Sequence, residues 1–92
     1  MADAGKAPDD VHPSEVSFRE LLRQLREDTG LTQVALAVRS GLSAQAISLL
    51  ERGVRRRPRP STVNTLIKAM RLTAADASAL RLAWILAQLI DP

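Results

Sequence analysis

The sequence contains no cysteine, only two aromatic residues and a single histidine. Without cysteine the chain can form neither a disulfide nor a thiolate metal site, which fits a reducing cytoplasm. Its histidine, His12, has neither a second histidine nor a nucleophile to pair with, so we expect no metal, no cofactor and no enzymatic activity. The two rings, Phe18 and Trp84, are too few for a module that stacks single-stranded bases.

Segments that direct a protein to or through a membrane are also lacking. The N-terminus has no basic start followed by an apolar run, and no segment approaches about 18 uninterrupted apolar residues. We therefore expect no signal peptide and no membrane partner. The sequence shows neither strand-like alternation nor an internal repeat. The missing strand alternation predicts that its elements are helices. A length of 92 residues allows at most one domain.

Positive charge is distributed unevenly along the chain. The net charge is +3 at pH 7, but residues 1–16 carry −3 and residues 17–92 carry +6. A basic body suggests a polyanionic partner, although charge alone does not separate nucleic acid from an acidic membrane or protein. Residues 1–16 are polar, acidic and interrupted by Pro8 and Pro13, and this composition predicts a disordered acidic arm.

Three helix signals follow this arm. Apolar residues recur at i, i+3, i+4 and i+7 from Phe18, which is the spacing of one helical face. A capping box of Ser17 and Glu20 opens this first helix. Thr32 and Ser43 can cap two short helices, QVALAVRS at 33–40 and AQAISLLER at 44–52. The stops of the three helices are Gly30, Gly41 and Gly53.

The second half of the chain adds a loop and two more helices. The stretch VRRRPRP at 54–60 is predicted to be a loop, because each proline restricts its own backbone and that of the preceding residue. A fourth helix is expected to start at Ser61 or Thr62. A fifth is expected to open at Thr73 and to run to about Ile90. Five helices with short connections predict a compact all-α fold.

The second and third helices are the informative pair. Each spans only about two turns, so packing must hold both in place. A link of about four residues with a glycine is typical of a helix-turn-helix. The residues expected to face the core are Leu36, Ala37, Leu42, Ile47 and Leu50. The short side chains left outside on the third helix would fit a DNA major groove, while the arginines beyond it would face the phosphates.

At this point the sequence resembles a known family. LTQVALAVRSGLSAQAISLLERG, followed by an arginine-rich loop and PSTVNTLIKAMRL, is similar to the lambda-repressor-like, or Xre-type, helix-turn-helix domain, with an actinobacterial composition. The resemblance assigns residues 17–72 to the DNA-binding domain and residues 73–92 to a C-terminal helix. It implies a bacterial, cytoplasmic and nucleoid-associated transcription regulator, a repressor, that binds double-stranded DNA as a homodimer and reads the major groove with residues 43–52.

The resemblance also implies roles for individual residues. The base-reading positions are Ala44, Gln45, Ser48 and Leu49. Gln45 is the candidate for paired hydrogen bonds to an adenine. The phosphate contacts that the resemblance implies are Gln33, Ser43, Arg57 and Arg59. The positive charge of the segment adds Arg52, Arg55 and Arg56 as further candidates. Arg26 and Glu51 match a structural ion pair. The residues alone leave alternatives to DNA contact. Both glutamines are also compatible with solvated helix positions, and the arginine run is also compatible with a solvated loop or a site for RNA or acidic protein.

The fifth helix is apolar on nearly all sides, and such a helix requires two partners. We expect its core face to include Leu82, Ala83, Leu86 and Ile90. Its outer face would then carry Leu80, Trp84 and Ala87 and form a homodimer contact or a contact with another protein. One alternative is that this helix only closes the core of a monomer, with Trp84 half exposed. An alternative function is that of a protein-interaction module, an antitoxin or adaptor, that acts through this helix.

Overall fold

The computed structural model describes residues 17–54 and 58–90, the side chain of Ile90 excepted. Within these ranges the chain forms five α-helices and no strand. They are α1 (Phe18–Asp28), α2 (Gln33–Ser40), α3 (Ala44–Glu51), α4 (Pro60–Met70) and α5 (Ala74–Ile90). The predicted all-α, five-helix fold is confirmed. The acidic arm at 1–16 and the arginines at 55–57 lie outside the described residues.

Hydroxyl groups open four of the five helices, as their sequence signals predict. Ser17, Thr32, Ser43 and Thr73 each accept a hydrogen bond from the backbone N–H three residues later, at 3.3, 3.0, 2.9 and 3.1 Å. Each bond satisfies one of the N–H groups that the start of a helix leaves without an intrahelical partner. The two short helices of the motif therefore begin at fixed residues.

Helix α4 begins differently, and the predicted start at Ser61 or Thr62 is wrong. Its first residue is Pro60, and its N-cap is Arg59, whose side chain makes no capping hydrogen bond. Proline is favourable at the first helical position, because its backbone angle suits the helix and it has no N–H to satisfy. The arginine side chain is therefore not used to cap the helix.

The core forms where the five helices meet. Helix α1 packs against α3 and α5, and α4 packs against α2 and α5. Of the predicted inward residues of the motif, Leu36, Ile47 and Leu50 are buried, and Ala37 and Leu42 are partly buried against them. This part of the core is confirmed. Both motif helices rest on a shared apolar base, which offsets their small intrinsic stability.

The predicted orientation of α5 is correct for Ala83, which is buried, and wrong for Leu80 and Leu82. Leu80 is 0% exposed and belongs to the core, whereas Leu82 is 48% exposed. The buried stripe instead follows Ala77, Leu80 and Ala83, and it continues with Trp84 and Ala87, which pack partly buried against the core. Alanines at three of these five positions allow α5 to approach its neighbours closely. Because α5 is apolar on most sides, its hydropathy did not determine which side faces inward.

The observed orientation of α5 exposes a different set of residues to solvent than the predicted one. The exposed large apolar residues of this helix are Leu82, Ile85 and Leu89, at 48%, 47% and 76%. Leu80 cannot form an intermolecular contact in this fold, because none of its surface is accessible. In the ranges that the structure describes, none of the helices combines the length and the apolar character that crossing a bilayer requires.

Candidate nucleic-acid interface

The outer surface of α3 carries the four residues predicted to read bases. Gln45 is exposed, and Ala44, Ser48 and Leu49 are half-buried. Positions i, i+1, i+4 and i+5 lie on one side of a helix, and Ile47 and Leu50 are buried on the other. Three of these four side chains are small or apolar, so the surface is narrow and free of charge. A polyanion that approached it would meet the amide of Gln45 first.

A buried ion pair fixes the C-terminal end of α3 against α1. The Arg26 guanidinium donates from Nε to Glu51 Oε2 at 2.6 Å and from Nη2 to Glu51 Oε1 at 2.9 Å. Its Nη1 donates to the carbonyl oxygen of Leu31 at 2.8 Å. The two side chains are 12% and 4% exposed. The paired geometry uses both carboxylate oxygens, so it sets the orientation of α3 as well as its distance from α1.

The ion pair also affects the proton affinity of Arg26. The hydrogen bond to Glu51 raises the pKa of the guanidinium, desolvation by burial acts in the opposite direction, and the charges of Glu51 and Glu27 add to the rise. A raised pKa in the folded state means that the stabilisation is fully present below the ordinary arginine pKa. It is lost only as the pH rises through the folded value. Arg26 therefore contributes no pH dependence near neutrality.

Gln33 links α2 to the same carboxylate. Its Nε2 donates to Glu51 Oε1 at 3.1 Å, so Glu51 accepts three hydrogen bonds from two neighbouring helices. A side-chain amide has two N–H groups on its nitrogen, and one remains after this bond. The predicted bracing of α3 by Gln33 is thus present as a hydrogen bond. Its predicted phosphate contact would use the second N–H.

Sequence reasoning missed Arg19, which lies beside the end of α3. A Cβ atom built on Gly53 would stand 2.7 Å from Arg19 Cδ, so the arginine stem crosses this glycine directly. Gly53 has a φ of 77°, a left-handed conformation that glycine adopts without strain. No motif pairs the two positions, and only the packing of α1 against α3 brings them together. The exposed side chain of Arg19 therefore lies beside the C-terminal end of α3.

The structure describes Arg52 and Arg59, which lie at the two ends of the arginine-rich segment. Both are exposed, and so is Ser43 at the start of α3. A phosphate contact requires this exposure. Arg55, Arg56 and Arg57 lie outside the described residues. Immediately before Arg59, Pro58 is buried, and its carbonyl oxygen accepts a hydrogen bond from Trp84 Nε1 at 2.8 Å. Trp84 was predicted on the outer face of the fifth helix, but it faces this segment from the half-buried side of α5.

Comparison with known proteins identifies a protein family that matches this chain. A family model described as a helix-turn-helix domain matches residues 17–80. The HTH-type transcriptional repressor RghR of Bacillus subtilis is 46% identical over 56 residues, which are 61% of this chain and 42% of that protein. The protein named uncharacterized HTH-type transcriptional regulator RghRB, from the same organism, is 40% identical over 55 residues, which are 60% of this chain and 40% of that protein. No solved structure matches the chain.

The matched region thus corresponds to about two fifths of the length of both relatives. The family match at residues 17–80 contains α1 to α4 and the start of α5, together with the buried network around Glu51. More than half of the chain fits the family. This chain therefore belongs to the helix-turn-helix domain family, as its resemblance to the lambda-repressor-like type predicted.

Proposed function

We propose that this chain is a bacterial, cytoplasmic transcription regulator that binds double-stranded DNA and reads the major groove with α3. The observation that carries the proposal is the narrow, uncharged outer surface of α3, with exposed Gln45 on it and exposed Arg52 and Arg59 beyond it. Amides and small side chains suit base edges, and guanidinium groups suit phosphates. A helix N-terminus at Ser43 adds unpaired backbone N–H groups that favour an anion.

The fixed orientation of α3 supports the same proposal. A reading helix must hold its side chains in one register on the groove, because base contacts depend on direction. The hydrogen bonds of Glu51 to α1 and α2, at 2.6 to 3.1 Å, supply this rigidity without using any outer residue of α3. We further propose that the chain represses transcription, since the relative RghR is named a repressor.

We propose that the protein acts as a homodimer on a two-fold related site. One reading helix covers only a few base pairs, and two copies about 34 Å apart roughly double the specific free energy of binding. The exposed residues Leu82, Ile85 and Leu89 of α5 supply an apolar surface for this contact. If they instead bind another protein, then sizing of the free protein and of its DNA complex will both report one copy.

The test is a titration of a fluorescein-labelled duplex, followed by anisotropy at a series of salt concentrations. If each subunit contacts four phosphates, the slope of log K against log salt is about −7 for a dimer and about −4 for a monomer. Arg59→Ala should lower the magnitude of the slope by about 1 for each subunit and weaken binding to all duplexes alike. A slope near zero for the unaltered protein would reject DNA binding.

A second variant that also removes one positive charge distinguishes a direct phosphate contact of Arg59 from a general effect of net charge on DNA affinity. Arg71 also carries one positive charge and lies at the opposite end of α4 from Arg59, about 18 Å away along the helix axis. Arg71→Gly should leave both the affinity and the salt slope unchanged. Equal losses in the two variants would mean that the protein attracts DNA only through its overall charge.

A further inference from the structure

Trp84 is the only tryptophan of the chain, and it lies beyond residues 17–80, which match the helix-turn-helix family. Its indole Nε1–H donates to the carbonyl oxygen of Pro58 at 2.8 Å. The partner residue is buried, while the next residue, Arg59, is exposed. One hydrogen bond therefore joins the C-terminal helix to the backbone immediately before a candidate phosphate contact.

We propose that Trp84 is a positioning residue that holds Arg59 in place for the DNA backbone. The inference rests on the proposed function, and it gives α5 an indirect role in DNA binding. Trp84 itself does not contact DNA in this account. It acts through the Pro58 carbonyl, and the site it serves takes the phosphates of a duplex.

The backbone of Arg59 is restrained from both sides. On its C-terminal side, its carbonyl accepts hydrogen bonds from the N–H groups of Thr62 and Val63, at 2.9 and 3.2 Å, as the first bonds of α4. Its own angles are φ −68° and ψ 154°, the extended conformation that a following proline favours. On its N-terminal side, the Trp84 bond holds the preceding carbonyl. The side chain meanwhile makes no capping bond.

This arrangement reduces the loss of conformational entropy that a phosphate contact must offset. A flexible segment has to be ordered when it binds, and each ordered residue reduces the affinity. A segment fixed by the indole and by the start of α4 is ordered before DNA arrives. Without the indole N–H, the Pro58 carbonyl loses its partner and the segment gains freedom, so phosphate binding should weaken.

The experiment compares Trp84→Phe with the unaltered protein, using anisotropy of a fluorescein-labelled duplex of mixed sequence. Phenylalanine keeps an aromatic ring but has no N–H to donate. A net hydrogen bond corresponds to a change of about twofold to tenfold in an equilibrium constant, and we expect the dissociation constant of Trp84→Phe to rise within this range. In an Arg59→Ala background, the same substitution should have no further effect on the dissociation constant.

Asn64→Ala is the matched structural control. Asn64 Oδ1 accepts a hydrogen bond from Arg81 Nη2 at 3.3 Å, so this variant also removes a bond between α4 and α5 but leaves the bond to the Pro58 carbonyl in place. Because this bond is exposed and longer than the Trp84 bond, the variant should lower the melting temperature by less than Trp84→Phe does, and it should leave the dissociation constant unchanged. Equal losses of affinity in both variants would show general loosening of α5 and would overturn the inference.

Different outcomes of these experiments would refute DNA binding and the role of Trp84. If the unaltered protein shows no salt-dependent binding to duplex, the proposed function fails. If it binds but Trp84→Phe binds equally well, or if the loss persists in the Arg59→Ala background, only the role of Trp84 is overturned. Should Trp84→Phe not fold, the emission of the single tryptophan provides the readout. In the unaltered protein it should stay constant through the duplex titration, because the Trp84–Pro58 bond is in place before DNA arrives, and a shift in parallel with anisotropy would contradict the inference.

Discussion

Removing Arg26 should destabilise the domain far more than removing a comparable surface arginine. Arg26→Ala deletes both hydrogen bonds from the guanidinium to Glu51 and the one to the Leu31 carbonyl. Glu51 then remains as a carboxylate with 4% of its side chain exposed. Its one remaining described side-chain partner is the Gln33 amide, at 3.1 Å.

The expected magnitude follows from this burial. Removing one partner of a buried ion pair costs about 3–5 kcal/mol, because the other charge stays desolvated. Since 12% of the Arg26 side chain is exposed, water can enter the space that it vacates, and we expect a loss of about 3 kcal/mol in the free energy of unfolding. Replacing both partners, as in Arg26→Met with Glu51→Leu, should cost no more than about 1 kcal/mol, since no charge is left unpaired.

Urea unfolding followed by circular dichroism measures these differences, and Arg23→Ala provides the control. Arg23 pairs with Glu27 at 3.2 Å, but these side chains are 64% and 48% exposed, and such pairs contribute about 0–0.5 kcal/mol. Added salt should weaken the effect of Arg23→Ala and leave that of Arg26→Ala nearly unchanged. If Arg26→Ala costs less than about 1 kcal/mol, or the double variant costs the sum of its parts, the buried pair does not fix α3.

Three further predictions concern stability. Arg71 has a φ of 53°, so Arg71→Gly should relieve left-handed strain and raise the free energy of unfolding by about 0.5–1 kcal/mol in urea; a loss would contradict this. Leu80→Ala should cost about 2–5 kcal/mol and Leu82→Ala less than about 1, and the reverse order would restore the sequence-based orientation of α5. Gly53→Ala should lower the melting temperature, through a loss of about 1–2 kcal/mol, because its φ is 77° and its Cβ would meet Arg19. An unchanged melting temperature would show that the turn relaxes freely.

The elements that sequence reasoning predicted correctly have local causes. Ser17, Thr32 and Ser43 cap helices with bonds three residues away, so a short window of sequence contains both partners. The inward residues of the motif also follow from helical spacing, because apolar and polar positions are clearly separated there. Local signals therefore predicted α1 to α3 almost to the residue.

The features that were missed depend on how distant segments pack. Leu80 was placed outside, because an apolar helix offers several equivalent core faces and only its neighbours select one. The approach of Arg19 to Gly53 and the bond of Trp84 to Pro58 join positions 34 and 26 residues apart, and no periodicity connects them. The pairing of Arg26 with Glu51 was predicted only through the family resemblance, since the residues themselves contain no signal for it.

The proposed function depends on base reading by α3 through Gln45, while arginines contact the phosphates of the strands. The direct measurement is the affinity of Gln45→Ala for a duplex selected from random sequences, compared with its affinity for an unselected duplex. Gln24→Ala is the control, because Gln24 is also an exposed glutamine but lies on α1, with its amide bound to Asp28 at 3.0 Å.

We predict that Gln45→Ala loses about 1–3 kcal/mol of binding free energy on the selected duplex, none on the unselected one, and that its salt slope stays intact. Gln24→Ala should match the unaltered protein on both. Equal affinities of Gln45→Ala and the unaltered protein for the selected duplex, or an equal loss on both duplexes, would contradict base reading by this surface of α3.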